Sequence, residues 1–163
     1  MKRREERFVS ASYPVSGVAQ KEIFEALLEV WRFPEWAYGL KRVRLLGGDD
    51  EACPGSRLSF SLSAAGLGHE VTSTVTEVDP PRSLQWRYTR GAVGTGGWVL
   101  EEDGSGAVLV TFSTNFRVEP AWLDKAVNRS FVRGVTDDLL HRSLRRLAAY
   151  LLARSRYRSS SSP

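Results

Sequence analysis

Few residues in this chain of 163 can move a proton. It has two histidines, and we predict that both lie at the surface, His69 beside a hairpin turn and His141 on a basic helix. Cys53 is the single cysteine, so the chain cannot form an internal disulfide. No metal-binding spacing joins these three residues, and we expect neither a metal ion nor another cofactor.

Four further residues are weak catalytic candidates: Arg57, Glu70, Glu77 and Tyr88. Arg57 begins a segment in which serine and apolar residues alternate, and a surface position is the usual one for an arginine. Glu70 and Glu77 are seven residues apart, so on one regular strand they face opposite sides of the sheet. Either one of them points inward, or a bulge places both outside.

A glycine-rich segment covers residues 91–97 and includes Gly94, Gly96 and Gly97. It lacks the G-x-G-x-x-G spacing of a phosphate-binding loop, and the sequence after it has the pattern of a strand instead of a helix. We therefore predict a hinge-like loop at the mouth of a cavity.

The order of the predicted elements indicates the fold. Six strand-like segments occupy the sequence from Arg42 to Phe116, and helical spacing of apolar residues then runs from Pro120 to Ala153. A further strand and two short helices precede them, which predicts an α+β protein with seven strands in the order β-α-α-β6-α. Because the apolar face of such a sheet must be covered, and only the last helix is long enough, we expect a curved antiparallel sheet wrapped on that helix.

Composition indicates one domain of an ordinary soluble kind, with 42% hydrophobic and 26% charged residues. No apolar run reaches the ~20 residues that span a bilayer, and no signal peptide is recognisable, so we expect a cytoplasmic protein. We predict a flexible N-terminus at residues 1–5, a single domain over residues 6–153, and a disordered basic and serine-rich tail over residues 154–163.

The positive charge is concentrated near the C-terminus. Residues 122–158 contain nine Lys or Arg and three Asp or Glu, a charge of +6 within a net charge of +4 for the chain. A solvated helix face explains this distribution most simply. A basic face can also attract nucleic acid or anionic lipid, and this remains an alternative.

Three short motifs are similar to those of a known family. They are Tyr13-Pro14 followed by Ile23-Phe24, the tetrapeptide Phe33-Pro34-Glu35-Trp36, and the octapeptide Glu77-Val78-Asp79-Pro80-Pro81-Arg82-Ser83-Leu84. Together with the element order, they resemble the helix-grip fold of the START/Bet v 1-like (SRPBCC) superfamily over roughly residues 6–153. Within it, the chain is most similar to bacterial polyketide cyclase/dehydrase-like proteins. These motifs are structural and favour a fold more strongly than a reaction.

The resemblance implies a deep apolar cavity between the sheet and the last helix, and no cofactor. In aromatase/cyclases of this kind, an inward arginine and hydroxyl side chains are thought to orient a poly-ketone chain, and Arg57 is the candidate arginine for that role in this chain. The alternative for the aromatic residues is that they simply fill a core. Our candidate lining residues are Trp36, Phe60, Leu62, Trp86, Tyr88, Trp98, Phe112, Phe131, Gly134 and Val135.

Three functions follow from these patterns. The first is binding, or carriage, of a hydrophobic small molecule such as a lipid or a polyketide-like compound. The second is a cofactor-independent cyclase or dehydratase that acts on a poly-ketone in the same cavity. The third and weakest is a nucleic-acid-associated factor that uses the basic helix. The sequence leaves the oligomeric state open.

Replacing Gly134 tests whether the last helix lines a cavity. This glycine lies on the inner stripe of the predicted helix, and leucine favours a helix by ~1 kcal/mol over glycine. We expect Gly134→Leu to block uptake of a hydrophobic probe without lowering the melting temperature. A strongly lowered melting temperature with unchanged uptake would instead show a tight packing contact, with an overpacking cost of ~1–3 kcal/mol.

Overall fold

A computed structural model describes residues 6–48, 50–64, 66–132 and 135–161 of the chain. The side chains of residue 64 and of residues 130–136 are also outside the described part. The predicted site residues Phe131, Gly134 and Val135 fall there, as does the predicted N-terminal segment 1–5. Their proposed roles therefore stay predictions.

Strands and helices follow one another nearly in the predicted order over the described residues. The strands are β1 (Arg7–Val15), β2 (Leu40–Leu46), β3 (Arg57–Ala64), β4 (Leu67–Asp79), β5 (Ser83–Arg90), β6 (Ala92–Glu102) and β7 (Val108–Val118). The helices are α1 (Gln20–Leu28), a 3-10 helix (Val30–Glu35), α2 (Ala121–Val132) and α3 (Val135–Ser160). The second short helix expected from the sequence is thus a 3-10 helix.

Within the described residues, the seven strands form one sheet in the order β1-β7-β6-β5-β4-β3-β2. Every neighbouring pair is antiparallel, which confirms the predicted α+β class. The two edge strands are β1 and β2. Strands that are consecutive in the chain from β2 to β7 are also neighbours in the sheet, and β1 returns to pair with β7.

The register determines which side chains share a face, because residues opposite each other in an antiparallel pair point the same way. Trp98 lies opposite both Leu84 and Phe112, and all three belong to the main hydrophobic core. We call this side of the sheet the inner face. The opposite, outer face carries hydroxyl pairs, such as the side chains of Ser10 and Ser113 at 2.9 Å.

Helix α3 covers the inner face with a stripe of leucines at helical spacing. Leu144, Leu147 and Leu151 are buried and belong to the same core as the inner-face residues of the sheet. Full burial of a leucine is worth about 1.5–3 kcal/mol, so these contacts fix α3 on the sheet. The helical spacing of apolar residues also predicts Leu139 on this inner stripe, and that prediction is wrong, because Leu139 is exposed.

Helix α2 is held to the sheet by a separate set of contacts. Asp124 accepts a hydrogen bond from the backbone N–H of Val118 at 2.9 Å and forms an ion pair with Arg7 of β1. Leu123 and Val127 pack with Val118 in a small hydrophobic cluster distinct from the main core. The start of α2 is thereby fixed to one end of the sheet.

The predicted loop over residues 91–97 is wrong, because β6 begins at Ala92 and continues through the glycines. Of these residues, Gly91 alone lies in the turn that precedes the strand. The glycines fit the strand because its neighbours approach closely: a Cβ on Gly97 would lie 2.7 Å from the carbonyl oxygen of Leu84. Alternation of apolar side chains cannot reveal the first half of this strand, because three of its first six residues are glycines.

The predicted helix from Pro120 to Ala153 is described on both sides of residues 133 and 134, as α2 and α3, and stays a prediction at those two residues, which lie outside the described part. The predicted C-terminal tail is corrected. The tail predicted to be disordered from residue 154 continues α3 to Ser160. One distant contact and two local ones hold this segment. Arg154 forms an ion pair with Glu29 next to α1, and Ser159 and Ser160 donate to carbonyls four residues earlier.

We expect the ion pair between Glu29 and Arg154 to make stability depend on acid pH. The hydrogen bond from Arg154 lowers the pKa of Glu29 below its ordinary value of 4.5. A carboxyl with a lowered pKa stabilises the fold above the unfolded-state pKa, and this contribution is lost as the pH falls through the folded-state pKa. Glu29→Gln should therefore reduce the free energy of unfolding by about 1 kcal/mol at pH 7.

Urea unfolding of both proteins at pH 7 and pH 3 measures this effect. The difference between wild type and Glu29→Gln should shrink at pH 3. Glu25→Gln is the matched control, because Glu25 contacts Arg158 at 3.9 Å with an exposed carboxylate and should cost less. If Glu29→Gln lowered the free energy of unfolding as much at pH 3 as at pH 7, the stabilising role of the ionised Glu29 would be contradicted.

Candidate functional site

A continuous series of aromatic contacts crosses the inner face. The ring centroids of Trp36 and Trp98 are 5.6 Å apart, and those of Trp98 and Phe112 are 4.9 Å apart. The series continues from Phe112 to Trp86 at 6.2 Å and from Trp86 to Phe60 at 5.9 Å. These residues were predicted to line a cavity, and the structure brings them together on one surface. Trp36, Phe60, Trp86 and Trp98 are themselves buried.

Burial is incomplete at one part of this face. Along β7 the inner residues Val110 and Val118 are buried, whereas Phe112 and Phe116 between them are only partly buried. Leu62 of β3, which packs near the same cluster as Phe116, is also partly buried. Large apolar side chains of a filled core lose nearly all their exposure. These three apolar side chains therefore keep some exposed surface between two well-packed ends.

Two hydroxyl groups lie on this incompletely buried surface. The phenol of Tyr88 and the hydroxyl of Thr114 are 2.8 Å apart, and Thr114 donates to the carbonyl oxygen of Thr95 at 3.0 Å. Burial raises the pKa of Tyr88, and the hydrogen bond with Thr114 and the nearby indole of Trp86 only partly oppose it. The phenol therefore keeps its proton at neutral pH.

Tyr88 reaches Thr114 by crossing β6 above a glycine. Gly96 lies opposite both Trp86 and Thr114 in the register. A Cβ on Gly96 would lie 2.7 Å from the Tyr88 oxygen and 2.8 Å from the indole nitrogen of Trp86. Any larger residue here would displace one of the two rings. Gly96 thus makes room for the polar atoms of both side chains.

An open cavity of about 690 Å³ lies at the end of the sheet where α2 begins. His69 forms part of its wall and is partly buried, which corrects the predicted surface position. Its Nε2 is 2.8 Å from the carbonyl oxygen of Gly91, and because a carbonyl only accepts, this nitrogen carries the proton. The lining residues are His69, Glu70, Thr72, Arg90, Gly91, Glu119, Pro120 and Ala121.

The three charged catalytic candidates lie on the outer face. Arg57 and Glu77 are exposed, and Glu70 accepts a hydrogen bond from Ser59 at 2.5 Å. A register shift between Val75 and Glu77 places both glutamates outside, which is the second of the two arrangements that the sequence allows. Of the four candidates, Tyr88 is the one that the structure places on the inner face.

No group of three or more His, Cys, Asp or Glu side chains in the described part of the chain is arranged to hold a metal ion. Among the described helices, none is both long and apolar enough to cross a membrane.

The family is identified by comparison with known proteins. Residues 9–152 match the family model described as polyketide cyclase/dehydrase and lipid transport. The chain belongs to this family. Comparison with curated proteins gives no match.

Solved structures support the same fold. The chain is similar to the Zhui aromatase/cyclase from Streptomyces sp. R1128, with a TM-score of 0.71, 16% identity, and coverage of 91% of this chain and 95% of that one. It is also similar to a START superfamily protein from Mycobacterium smegmatis, with a TM-score of 0.62, 13% identity, and coverage of 84% and 93%. It is similar as well to major latex-like protein 151 from Panax ginseng, with a TM-score of 0.65, 13% identity, and coverage of 91% of this chain and 99% of that one.

These similarities confirm the predicted helix-grip fold. At such low identities they show the fold and leave the ligand and the reaction of this family member open.

Sequence reasoning missed two polar residues of the inner face. Ser73 and Thr114 sit among apolar neighbours that alternate with them in register, and only the pairing of the strands shows that they share a face with Tyr88. The period-2 pattern of β4 does place Ser73 between Val71 and Val75, which is a usable signal. The long reach of Tyr88 across a glycine has no counterpart in local sequence.

Gly96→Ala tests the contact between β6 and the aromatic rings. We expect a loss of about 1–3 kcal/mol in the free energy of unfolding, because the added Cβ would meet both Tyr88 and Trp86. Gly68→Ala is the control, since a Cβ on this glycine of β4 would meet nothing within 4 Å. Equal melting temperatures for the two variants would show that the rings move aside at no cost.

Proposed function

We propose that this protein binds a hydrophobic small molecule on the inner face of the sheet. The observation that carries the proposal is the incomplete burial of Leu62, Phe112 and Phe116 between well-packed neighbours. A ligand that covers these side chains would remove apolar surface from water, at about 25 cal/mol for each Å² buried. The family description, which includes lipid transport, supports a ligand of this chemical kind.

The arrangement has the usual composition of a ligand pocket. Such pockets have mostly apolar and aromatic walls with a few placed polar groups. Here the buried rings of Trp86 and Trp98 would form the floor, Leu62 and Phe112 the accessible wall, and Tyr88 a polar group. The open cavity beside His69 and Gly91 is a separate feature at the end of the sheet, because its wall includes Glu70 and Thr72 of the outer face and does not include Leu62, Phe112 or Phe116.

A second function, cyclisation or dehydration of a poly-ketone, is favoured by one observation. Tyr88 presents a protonated phenol on the inner face, hydrogen-bonded to Thr114, and such a group can donate a proton in general acid catalysis. Similar folds include the aromatase/cyclase from Streptomyces sp. R1128. Because Arg57, Glu70 and Glu77 lie outside, an enzyme of this kind would depend on Tyr88.

Native mass spectrometry of freshly purified protein, combined with uptake of the fluorescent probe N-phenyl-1-naphthylamine, tests binding. We expect a co-purified mass or saturable uptake of the probe. A clean apo mass together with no uptake of the probe or of any member of a lipid panel would refute the proposal.

A matched pair of variants locates the site. Thr114→Phe adds a ring to the inner face, where it should occupy the space beside Phe112 and weaken probe binding at least about tenfold. Ser113→Phe adds the same ring on the outer face and should leave binding unchanged, because inner and outer positions alternate along β7. Equal affinities in the two variants would place the probe elsewhere on the molecule.

A further inference from the structure

Helix α2 has one side buried against the protein and the opposite side in water. Leu123 and Val127 are buried on the first side. Trp122, Lys125 and Arg129 are exposed, and their spacing of three and four residues places them on one stripe, about half a turn from the buried side. We call these three residues the exposed stripe.

The exposed stripe carries positive charge that the described residues leave unneutralised. The acidic residue of this helix, Asp124, is buried in an ion pair with Arg7 on the far side. Within the described part of the chain, neither Lys125 nor Arg129 forms an ion pair. The stripe therefore presents two positive charges to water.

Positive charge on the neighbouring helix is engaged differently. On α3, Arg142 lies 3.1 Å from Asp138, and Arg154 forms its ion pair with Glu29. The basic character of residues 122–158 thus divides into arginines paired with carboxylates on α3 and the two cations of the exposed stripe. Only the latter adjoin an exposed indole.

The apolar part of this surface is large and faces water. Trp122 is 60% exposed, and Leu67, at the tip of the hairpin between β3 and β4, is 46% exposed. Both lie at the same end of the molecule, because His69 and Ala121, which are near them in the chain, line the same open cavity. Tryptophan is enriched where one side of the ring is apolar and the other is wet, as at the boundary of a bilayer. An exposed indole beside cations favours a partner that is both apolar and negatively charged.

A bilayer with anionic lipids fits this chemistry better than a nucleic acid does. Nucleic-acid binding depends on several phosphate contacts, whereas the exposed stripe offers two cations. At a membrane surface, an indole enters the interfacial layer while neighbouring lysine and arginine side chains contact anionic head groups. The combination on α2 is of this second kind.

The buried side of α2 connects this surface to the inner face of the sheet. Leu62 and Phe116, two of the partly exposed inner-face side chains, pack against the cluster that includes Leu123 and Val127. One helix thus has its cationic side in water and its apolar side against the incompletely buried part of the inner face. A surface in contact with the exposed stripe would lie about one helix diameter from these side chains.

We propose that the exposed stripe of α2 docks this protein on the surface of a bilayer that contains anionic lipids. Trp122 enters the interfacial layer, and Lys125 and Arg129 contact the head groups. The docking goes beyond the proposed function, because it needs the stripe and no bound ligand. Where the ligand is itself a component of the membrane, docking brings its source close to the inner face.

Flotation with lipid vesicles tests the docking. Wild-type protein is mixed with vesicles of phosphatidylcholine alone, or of phosphatidylcholine and phosphatidylglycerol, at low and at high salt. We expect binding to the anionic vesicles that weakens at high salt, and little binding to the neutral ones. The double variant Lys125→Ala and Arg129→Ala should weaken this binding at least about tenfold, since each cation near an anionic surface contributes about fivefold.

Variants of α3 are the matched controls. Arg145→Ala with Arg156→Ala removes the same charge from exposed positions of the other helix and should weaken binding by less than about twofold. Trp122→Ala should weaken binding at least about fivefold, because it removes the apolar contact. Tyr157→Ala removes a ring that is 74% exposed and should leave binding unchanged. All these side chains are exposed, so the melting temperatures should stay close to that of the wild type.

Tryptophan fluorescence gives a second readout. Anionic vesicles should shift the emission of the wild type to shorter wavelength, and Trp122→Phe should abolish this shift.

Several outcomes would overturn the docking. They are no binding to either kind of vesicle, equal binding to both, an equal loss in the charge variants of α2 and α3, and a shift that persists in Trp122→Phe. Tighter binding to an oligonucleotide than to vesicles, lost on replacing Lys125 and Arg129, would assign the stripe to nucleic acid instead. In each case, uptake of N-phenyl-1-naphthylamine in buffer without vesicles would leave the proposed function standing.

Discussion

The close approach of two aromatic rings to Gly96 is the contact on which the inner face depends. Because β6 has no side chain at this position, Tyr88 and Trp86 can lie across the strand and bring their polar atoms near one point. Tyr88 thereby reaches Thr114 on β7, and Trp86 reaches Phe112. Contacts that would otherwise stop at the neighbouring strand extend over β5, β6 and β7. The glycine converts part of the sheet into one continuous wall.

This wall is packed unevenly, and the unevenness has a physical origin. The leucines of α3 and the apolar stripe of α1 fill one part of the inner face completely. Helix α2 is fastened by its own small cluster and by the ion pair between Arg7 and Asp124 at the sheet end. Between these two attachments, Leu62, Phe112 and Phe116 keep some exposure. The two attachments are independent of each other, so the inner face can be tightly packed at both while the side chains between them stay partly exposed.

Most of the architecture could be predicted from the sequence, because strand alternation and helical leucine spacing are local signals. The face of Leu58, Phe60 and Leu62 in β3 follows directly from their period of two. Strand β6 could not be predicted to its full length, since a strand of glycines is stabilised by its neighbours and has no pattern of its own. The helical tail beyond Ala153 likewise depends on a distant partner, Glu29.

The site was harder to predict than the fold. The aromatic residues were identified as a group, but whether each is floor or accessible wall depends on how α2 and α3 sit over them. The faces of Glu70 and Glu77 depended on a bulge that composition does not encode. Local alternation places Ser73 with Val71 and Val75, and Thr114 with Phe112 and Phe116, but only the register shows that both share a face with Tyr88. The register between strands brings these separate residues onto one face, and no single segment of the sequence specifies that register.

The turn at Gly91 has a consequence for how this protein can change over evolution. Its backbone adopts a φ of +80°, and a Cβ there would lie 2.3 Å from the carbonyl oxygen of Glu70. The cavity wall at Gly91 is thus set by main chain against main chain, where substitution of a side chain cannot adjust the fit. The inner wall, by contrast, consists of side chains that can be exchanged one at a time. In descendants of this chain, changes in ligand preference should therefore arise from substitutions of inner-face side chains, while the backbone turn at Gly91 is kept.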